Sequence, residues 1–263
     1  MTSSHADSDA RAQLAELVRG FAGCLRRAQR RGGRWIPASS SRFASGVEGA
    51  QAAVVHDRDD DGPPIQTESE ATASLEVVRE QWGECTRCPL HARRTHLVFG
   101  AGNPAADVLF VGEAPGADED RQGQPFVGRA GQLLTRMIAA MGLTRDEVYI
   151  TNILKCRPPR NRDPEPDEVA ACSGVLRRQI AAISPRLIIT MGNFATRTLL
   201  RTEAGISSLR GRFHSYQGIA VMPTYHPSYL LRNPDAKRAV WEDLQAVMAE
   251  MDRLGLARRR SAG

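Results

Sequence analysis

Residues 107–131 read DVLFVGEAPGADEDRQGQPFVGRAG, and this stretch decides the fold of the chain. It begins with the apolar run 108–111, which ends at a glycine, a pattern typical of a strand buried on both faces of a parallel sheet. Ligands of open α/β sheets bind beyond the carboxyl ends of the strands, so we expect a site in the loop 112–116. The loop glycines let backbone N–H groups approach a ligand closely, and Phe126 lies within reach of the same pocket. The sequence therefore predicts a site for a flat, polar ligand.

Further apolar runs alternate with amphipathic segments along the chain. The runs predict strands at residues 148–154, 186–191 and 219–224. The amphipathic segments predict helices at about residues 131–141, 165–183, 193–200 and 236–254. Strands that alternate with helices form a parallel sheet covered on both faces, so the expected fold class is α/β.

Residues 1–73 have a different character from the rest of the chain. Apolar residues recur at helical spacing between Arg11 and Arg31, and the acidic run 57–61 follows without periodicity. We expect an N-terminal appendage, made of a short basic amphipathic helix and a mobile, disordered linker. The helix is either a docking element for a protein or for DNA, or a marginal helix on a mobile tail. We place one domain at residues 74–255 and a basic tail at residues 256–263.

Composition narrows the choice of protein class. The chain has 263 residues, of which 41% are hydrophobic, and its formal net charge is +5. Clustered arginines suit phosphate contacts, although a solvated basic surface without a ligand fits the charge equally well. No apolar run reaches the roughly 20 residues of a membrane span, and no secretory segment is visible, so we expect a cytoplasmic protein that does not act on membranes. In that reducing compartment the five cysteines are not expected to form disulfides.

Four of the cysteines form a set with the spacing of a metal site. Cys85 and Cys88 make a CxxC motif followed by proline, and Cys156 and Cys172 come much later in the chain. Such a set can hold an iron–sulfur cluster or zinc, or can remain as unligated thiols. The long spacing between the second pair counts against zinc without excluding it. Any metal here would hold the fold together, and redox activity is not implied.

The loop between the second pair of cysteines is rich in arginine and proline. Arg157, Arg160 and Arg162 are interleaved with prolines that restrict the backbone. Three guanidinium groups on a stiff loop fit a phosphodiester backbone, so we expect these residues to bind DNA. A solvated charged loop is the alternative.

Several ordered motifs together resemble the family 4 uracil-DNA glycosylases, the iron–sulfur members of their superfamily. The motifs are GEAPG at 112–116, GQPFVG around Phe126, TNILKC around Asn152, the cysteine set, and HPS at 226–228. The resemblance covers residues from about 75 to 254 and leaves the appendage unexplained. It implies a three-layer α/β/α sandwich with a central four-stranded, mostly parallel sheet, and a [4Fe–4S] cluster on the four cysteines.

The resemblance also implies a uracil pocket, in which three residues have assigned contacts to the base. The pocket residues are Gly112, Glu113, Ala114, Phe126, Asn152 and His226. Phe126 would stack on the extruded base, and the Asn152 amide would pair with uracil and reject cytosine, whose donors and acceptors are reversed. A ring N–H of His226 would stabilise negative charge on uracil O2. Without the resemblance, an asparagine just after a strand is more often only a turn residue.

Three further assignments complete the predicted site. Ala114 stands where the best-known branch of the superfamily has a water-orienting aspartate, so we assign the water to Glu113, with Asn152 or backbone groups as alternatives. Glu119 is the candidate for excluding thymine, with a solvated carboxylate as the alternative. The loop after His226 would enter the duplex where the base has left, and its candidates are Leu230, Leu231 and Arg232. Ser228 in the same loop is a further predicted DNA contact. The leucines could instead pack against the last helix.

These inferences together predict a DNA repair enzyme. We expect a monofunctional, monomeric glycosylase that hydrolyses uracil from single- and double-stranded DNA and leaves an abasic site, with Lys155 as a phosphate contact. Two alternatives stay open. One is a related iron–sulfur glycosylase with another damaged-base preference or a covalent trapping mode, and the other is a non-catalytic DNA-binding module with a structural cluster.

Overall fold

The structure, a computed structural model, describes residues 74–257. The predicted appendage at 1–73, with its helix and Cys24, and residues 258–263 of the predicted basic tail lie outside the described residues. The domain boundaries therefore stay predictions. Within the described range, no helix combines the length and the apolar character that a membrane span requires.

Helices and short strands alternate along the described part of the chain. The α-helices are α1 Leu75–Trp82, α2 Ala117–Gln122, α3 Arg129–Ala140, α4 Pro166–Ile183, α5 Asn193–Leu200, α6 Ile206–Leu209, α7 Pro227–Arg232 and α8 Lys237–Arg253. The strands are β1 Ala101–Gly102, β2 Val108–Gly112, β3 Tyr149–Asn152, β4 Leu187–Met191, β5 His214–Tyr216 and β6 Ile219–Thr224.

The six strands form one sheet in the order β1-β3-β2-β4-β6-β5. The four central strands are parallel to one another, and the two edge strands run antiparallel to their neighbours. The predicted α/β fold is confirmed, and the four predicted strands are the four parallel ones. The edge strands were missed because they have only two and three residues, too few for a periodic pattern. The edge strand β5 is joined to β6 by the two-residue turn Gln217-Gly218. Both residues have positive φ, 49° and 83°, which is typical of a two-residue hairpin.

Alternate residues of the central strands supply two separate apolar cores. Val108 and Phe110 of β2 pack with buried side chains of α3 and α8. Leu109 and Val111 point to the other face, where they pack with α4 and α5. All four β2 side chains are at most 2% exposed. Because a strand buried on both faces needs apolar residues at every position, the run 108–111 predicts the three-layer arrangement.

The parallel register brings the carboxyl ends of the central strands to one edge of the sheet. Gly112 at the end of β2 is the register partner of Asn152 at the end of β3. The pairing continues past the strands, since the N–H groups of Ile153 and Leu154 donate to the carbonyls of Gly112 and Glu113. On the other side of β2, Met191 of β4 pairs with Thr224 of β6, two residues before His226. The loops that carry the predicted site residues therefore start from a common edge.

Candidate active site

Phe126, Asn152 and His226 converge at this edge of the sheet. A Cβ atom placed on Gly112 would lie 2.4 Å from Asn152 Oδ1 and 2.5 Å from Phe126 Cζ, so both side chains meet over this glycine. The Phe126 ring centroid lies 5.6 Å from that of His226, with the two rings tilted by 37°. His226 also borders Gly192 at the end of β4, where a Cβ would lie 3.2 Å from the histidine Cβ. An aromatic ring, a carboxamide and an imidazole thus share one small region.

Phe126 reaches this region through an unusual backbone conformation. Its φ is +54°, in the left-handed region that residues with a Cβ seldom adopt, and its side chain is only 6% exposed. This backbone conformation costs about 1–3 kcal/mol and persists only where the surrounding structure enforces it. The close packing of its carbonyl on Gly131 is one such constraint, because a Cβ there would lie 1.8 Å from the Phe126 oxygen.

Asn152 carries a buried acceptor that no group of the protein satisfies. Its side chain is 1% exposed, and Oδ1 is the one buried side-chain N or O atom in residues 74–257 without a hydrogen-bond partner. Leaving such an atom unpaired costs about 1–3 kcal/mol. An orphaned acceptor beside an aromatic ring is suited to a planar ligand that brings its own N–H donor.

The hydrogen bonds of His226 define its tautomer. The backbone N–H of Ser228 donates to His226 Nδ1 at 3.1 Å, and Ser228 Oγ lies 2.7 Å from the same nitrogen. Since a backbone N–H cannot accept, Nδ1 is the acceptor and the proton of the neutral ring is on Nε2. Burial lowers the pKa of His226 to about 4, and the positive charge of Arg232 acts in the same direction. The ring is therefore neutral at physiological pH and presents an Nε2–H donor.

Glu113 follows β2 directly and has an unusual carboxyl group. Burial, and secondarily the negative charge of Asp163, raise the pKa of Glu113 to about 7. A carboxyl group poised near neutral pH in a partly buried position is typical of a general base or a water-binding group. The adjacent Ala114 is partly buried and packs against the apolar cluster on the α4 side of the sheet.

Glu119 binds backbone groups on both sides of the pocket. Its Oε2 accepts from the N–H of Gly116 at 3.1 Å, and its Oε1 accepts from the N–H groups of Val127 and Gly128, each at 2.9 Å. It also closes the N-terminal cap of α2. These bonds make Glu119 part of the loop framework. The exclusion of thymine by Glu119 stays a prediction.

The residues of α7 that are predicted to contact DNA differ in their exposure. Leu230 is 1% exposed and belongs to the apolar core that also contains Val240 and Leu244 of α8, so it is not free to enter a duplex. Leu231 is 37% exposed, and Arg232 is exposed as well. Ser228 faces His226. Leu231 and Arg232 are thus the α7 candidates that are free to enter a duplex.

The basic loop after β3 presents fewer free cations than expected. The Arg162 guanidinium binds the Glu168 carboxylate through two hydrogen bonds, of 2.9 and 2.6 Å, and so anchors the start of α4. Arg157 Nε donates to Asn161 Oδ1 at 2.7 Å, while Arg160 is exposed. DNA binding by these three arginines stays a prediction, and Arg160 is the most accessible of them.

The expectation that Lys155 contacts a phosphate is wrong. Lys155 is 2% exposed, and its Nζ donates to Thr151 Oγ1 and to the Asn152 carbonyl, both at 2.6 Å. Burial lowers the pKa of this amine to about 7. The side chain is therefore an internal brace beneath Asn152, because residues 153–156 after β3 are all buried.

The four predicted metal-ligating cysteines line one cavity, whose wall includes none of Phe126, Asn152 and His226. Cys85 and Cys88 come from the segment after α1, Cys156 from the loop after β3, and Cys172 from α4. The apolar part of the wall is formed by Trp82, Leu97, Phe99 and Val175. Within residues 74–257, no three His, Cys, Asp or Glu side chains are arranged to share a single metal ion.

Basic side chains border the same cavity. Arg94 Nη1 donates to Cys156 Sγ at 3.3 Å and to the Cys85 carbonyl at 2.7 Å, and Lys155 lines the cavity. Burial raises the pKa of Cys172 to about 11 and raises that of Cys156 as well. Unligated, these thiols are neutral, so an anionic donor set requires a bound metal and the nearby cations.

Sequence reasoning missed two contacts that support the pocket, since it gave Ser228 only as a DNA contact and did not single out Arg145. Ser228 fixes the imidazole, and Arg145 donates to the carbonyls of Pro125 and Phe126 at 2.7 and 3.1 Å. Residues 144–147, TRDE, have the T-x-x-E spacing of a capping box, and the Thr144 N–H and Oγ1 donate to Glu147 Oε2 at 2.6 and 2.8 Å. That signal locates a tight turn but does not indicate which loop Arg145 reaches.

Comparison with known proteins gives consistent matches over this part of the chain. The family model of the Uracil DNA glycosylase superfamily matches residues 99–245. A type-4 uracil-DNA glycosylase of Sulfurisphaera tokodaii is 45% identical over 183 residues, which cover 66% of this chain and 83% of the relative. One from Thermotoga maritima is 46% identical over 175 residues, covering 65% of this chain and 91% of the relative. A type-5 enzyme of Pyrobaculum aerophilum is 34% identical over 164 residues, covering 56% and 71%.

The space above Gly112 gives a direct test of the pocket. In Gly112→Ala the new methyl group would overlap Asn152 Oδ1 and Phe126 Cζ, so both must move out of the space they share. We expect this variant to lose at least about tenfold in affinity for any base that stacks on Phe126. Gly205→Ala is the matched control, because a Cβ there meets nothing within 4 Å. Equal affinity for the free base in both variants, measured by calorimetry, would contradict the assignment of the pocket.

Proposed function

This chain belongs to the uracil-DNA glycosylase superfamily, and on that premise we propose that it hydrolyses the N-glycosidic bond of uracil in single- and double-stranded DNA, leaving an abasic site. The observation that carries the proposal is the unpaired Oδ1 of Asn152 beside the Phe126 ring. Uracil offers an N3–H donor to such an acceptor. Cytosine has an acceptor at N3 and would leave two buried acceptors facing each other.

His226 and Glu113 would act on the two sides of the breaking bond, the uracil and the sugar. As the bond breaks, negative charge develops on uracil O2, and the neutral Nε2–H of His226 is available to donate to it. The sugar develops positive charge and is attacked by water. The Glu113 carboxylate, when ionised, can accept a hydrogen bond from that water and hold it for attack. No covalent intermediate is required.

The DNA surface would be formed around the same edge of the sheet. Exposed Leu231 at the end of α7 is suited to fill the space left by the extruded base, and Arg232 beside it to contact a phosphate. Arg160, with Arg157 and Arg162 behind it, would meet the backbone on the other side. We further propose that the protein acts as a monomer in the cytoplasm and that residues 1–73 bind a separate protein or DNA.

We also propose that Cys85, Cys88, Cys156 and Cys172 hold a [4Fe–4S] cluster. Four cysteines around one cavity supply its ligand set, and the cubane does not need three thiolates to meet at a single ion. Arg94 and Lys155 would offset the negative charge of the thiolates. When bound, the cluster would cross-link the α1 segment, the loop after β3 and α4.

Replacing the two polar pocket residues tests the enzyme assignment. We expect His226→Ala to slow single-turnover uracil release from a U:G duplex about 10²- to 10³-fold, because it removes a donor to developing charge. Asn152→Ala should slow release by a similar factor and leave duplex affinity nearly unchanged. His214→Ala is the control, since His214 binds the Leu209 carbonyl on the sheet edge. Unchanged release by both pocket variants, with normal duplex binding, would contradict the site. If hypoxanthine or xanthine is released faster than uracil, the preferred substrate is that base and not uracil.

The raised pKa of Glu113 predicts a pH dependence. Below about pH 7 the carboxyl group is protonated and cannot accept from water, so the single-turnover rate should rise as the pH passes through about 7. His226 should not contribute to this rise, since its pKa is about 4. Asp163→Asn removes a negative charge that raises the pKa of Glu113 and should move the midpoint to lower pH. A flat profile, or one unchanged in Glu113→Gln, would exclude this role.

Metal analysis of freshly purified protein tests the cluster. We expect about four irons per chain and broad visible absorbance. Cys85→Ser should lose iron and unfold at a lower temperature, because the cross-link between three segments is gone. Cys24→Ser is the control outside the predicted ligand set and should retain iron. One zinc per chain without iron would contradict the cluster.

A further inference from the structure

We propose that Arg145 and Glu119 together are positioning residues that hold Phe126 in its strained conformation as the stacking surface for the extruded base. This inference rests on the proposed function for its meaning, but its geometry is independent of the substrate. The backbone of Phe126 is left-handed, at φ +54°, and the peptide groups on both sides of it are bound by charged side chains.

Arg145 binds the acceptor side of this segment. One guanidinium nitrogen donates to the Pro125 carbonyl at 2.7 Å, and the other donates to the Phe126 carbonyl at 3.1 Å and to Thr135 Oγ1 at 3.3 Å. These two carbonyls belong to the peptide bonds directly before and directly after Phe126. A planar fork of donors can fix two consecutive carbonyls in a way that a single ammonium group cannot.

Glu119 binds the donor side of the same segment. One carboxylate oxygen accepts from the N–H groups of Val127 and Gly128, directly after Phe126. The other accepts from the N–H of Gly116, in the loop that follows β2. The carboxylate therefore connects the Phe126 loop to the loop that forms the opposite side of the pocket. The positive charge of Arg145 also interacts favourably with this carboxylate.

The two charged groups constrain different atoms of one short segment. Relaxation of Phe126 to negative φ would rotate its flanking peptide groups, so it would break hydrogen bonds to Arg145, to Glu119 or to both. The bonds to charged groups are stronger than bonds between neutral ones and oppose that rotation. The strain at Phe126 is thus offset by the two side chains, and the ring stays beside His226 and over Gly112.

A double-mutant cycle tests whether Arg145 acts through Phe126. Arg145→Met keeps most of the side-chain volume and removes every donor. We expect it to slow single-turnover uracil release on the order of tenfold, with little change in duplex affinity. In a Phe126→Ala background the same substitution should change the rate by less than about twofold, since the ring to be positioned is absent. An equal slowing in both backgrounds would overturn the proposal.

Two further measurements separate positioning from general loss of structure. Arg197→Met is the matched control, because Arg197 also donates to a loop carbonyl, that of Ala204, at 3.1 Å. It should release uracil at the wild-type rate. Arg145→Lys retains the charge and at most part of the fork, so its rate should lie between those of wild type and Arg145→Met. A rate equal to that of wild type would count against the fork.

Amide hydrogen exchange gives a reading that does not depend on activity. The Val127 and Gly128 amides should exchange faster in Arg145→Met, although their direct partner Glu119 is unchanged. Unaltered exchange would overturn the joint action of the two side chains, even if the wild type releases uracil. A wild type that releases no uracil would instead contradict the proposed function, and the exchange experiment would still decide the positioning role.

Discussion

An amide oxygen that is buried and unpaired is the constraint on which the candidate site depends. Asn152 Oδ1 is fixed at the end of β3, and the register partner of its residue is Gly112. The lack of a side chain at Gly112 allows the Phe126 ring to reach the amide. Any larger residue at that position would separate the two groups. The parallel pairing of β2 and β3 therefore sets both the location of the acceptor and the identity of its neighbours.

Burial shifts the pKa values of His226 and Glu113 in opposite directions. Burial lowers the pKa of His226 to about 4, so the ring stays neutral and keeps a donor at Nε2. Burial raises the pKa of Glu113 to about 7, which is close to physiological pH. The same burial makes an unmatched base costly, because each misplaced donor or acceptor would remain unpaired. Under the proposed function, selectivity and charge stabilisation would both depend on this burial. Lys155 is a buried brace under Asn152, and it joins this residue to the segment that carries Cys156.

The sequence predicts the site better than it predicts the supporting contacts. Apolar runs and glycine-rich ends locate the four parallel strands, and parallel topology brings Asn152 and His226 to one edge. The short edge strands leave no periodic signal. The burial of Lys155 and the reach of Arg145 depend on how loops of different sequence position fold over one another. Local patterns cannot encode such contacts, and the family resemblance that makes Glu119 the candidate for excluding thymine carries no information about its three backbone partners.

The most direct test of the central claim compares free uracil with 3-methyluracil as inhibitors of base release. If Asn152 Oδ1 is the acceptor for uracil N3–H, uracil should inhibit and 3-methyluracil should bind at least about tenfold more weakly, because its methyl group replaces the donor and leaves the oxygen unpaired. In Asn152→Ala the two compounds should become nearly equivalent. Equal inhibition of the wild-type protein by both compounds would contradict the account.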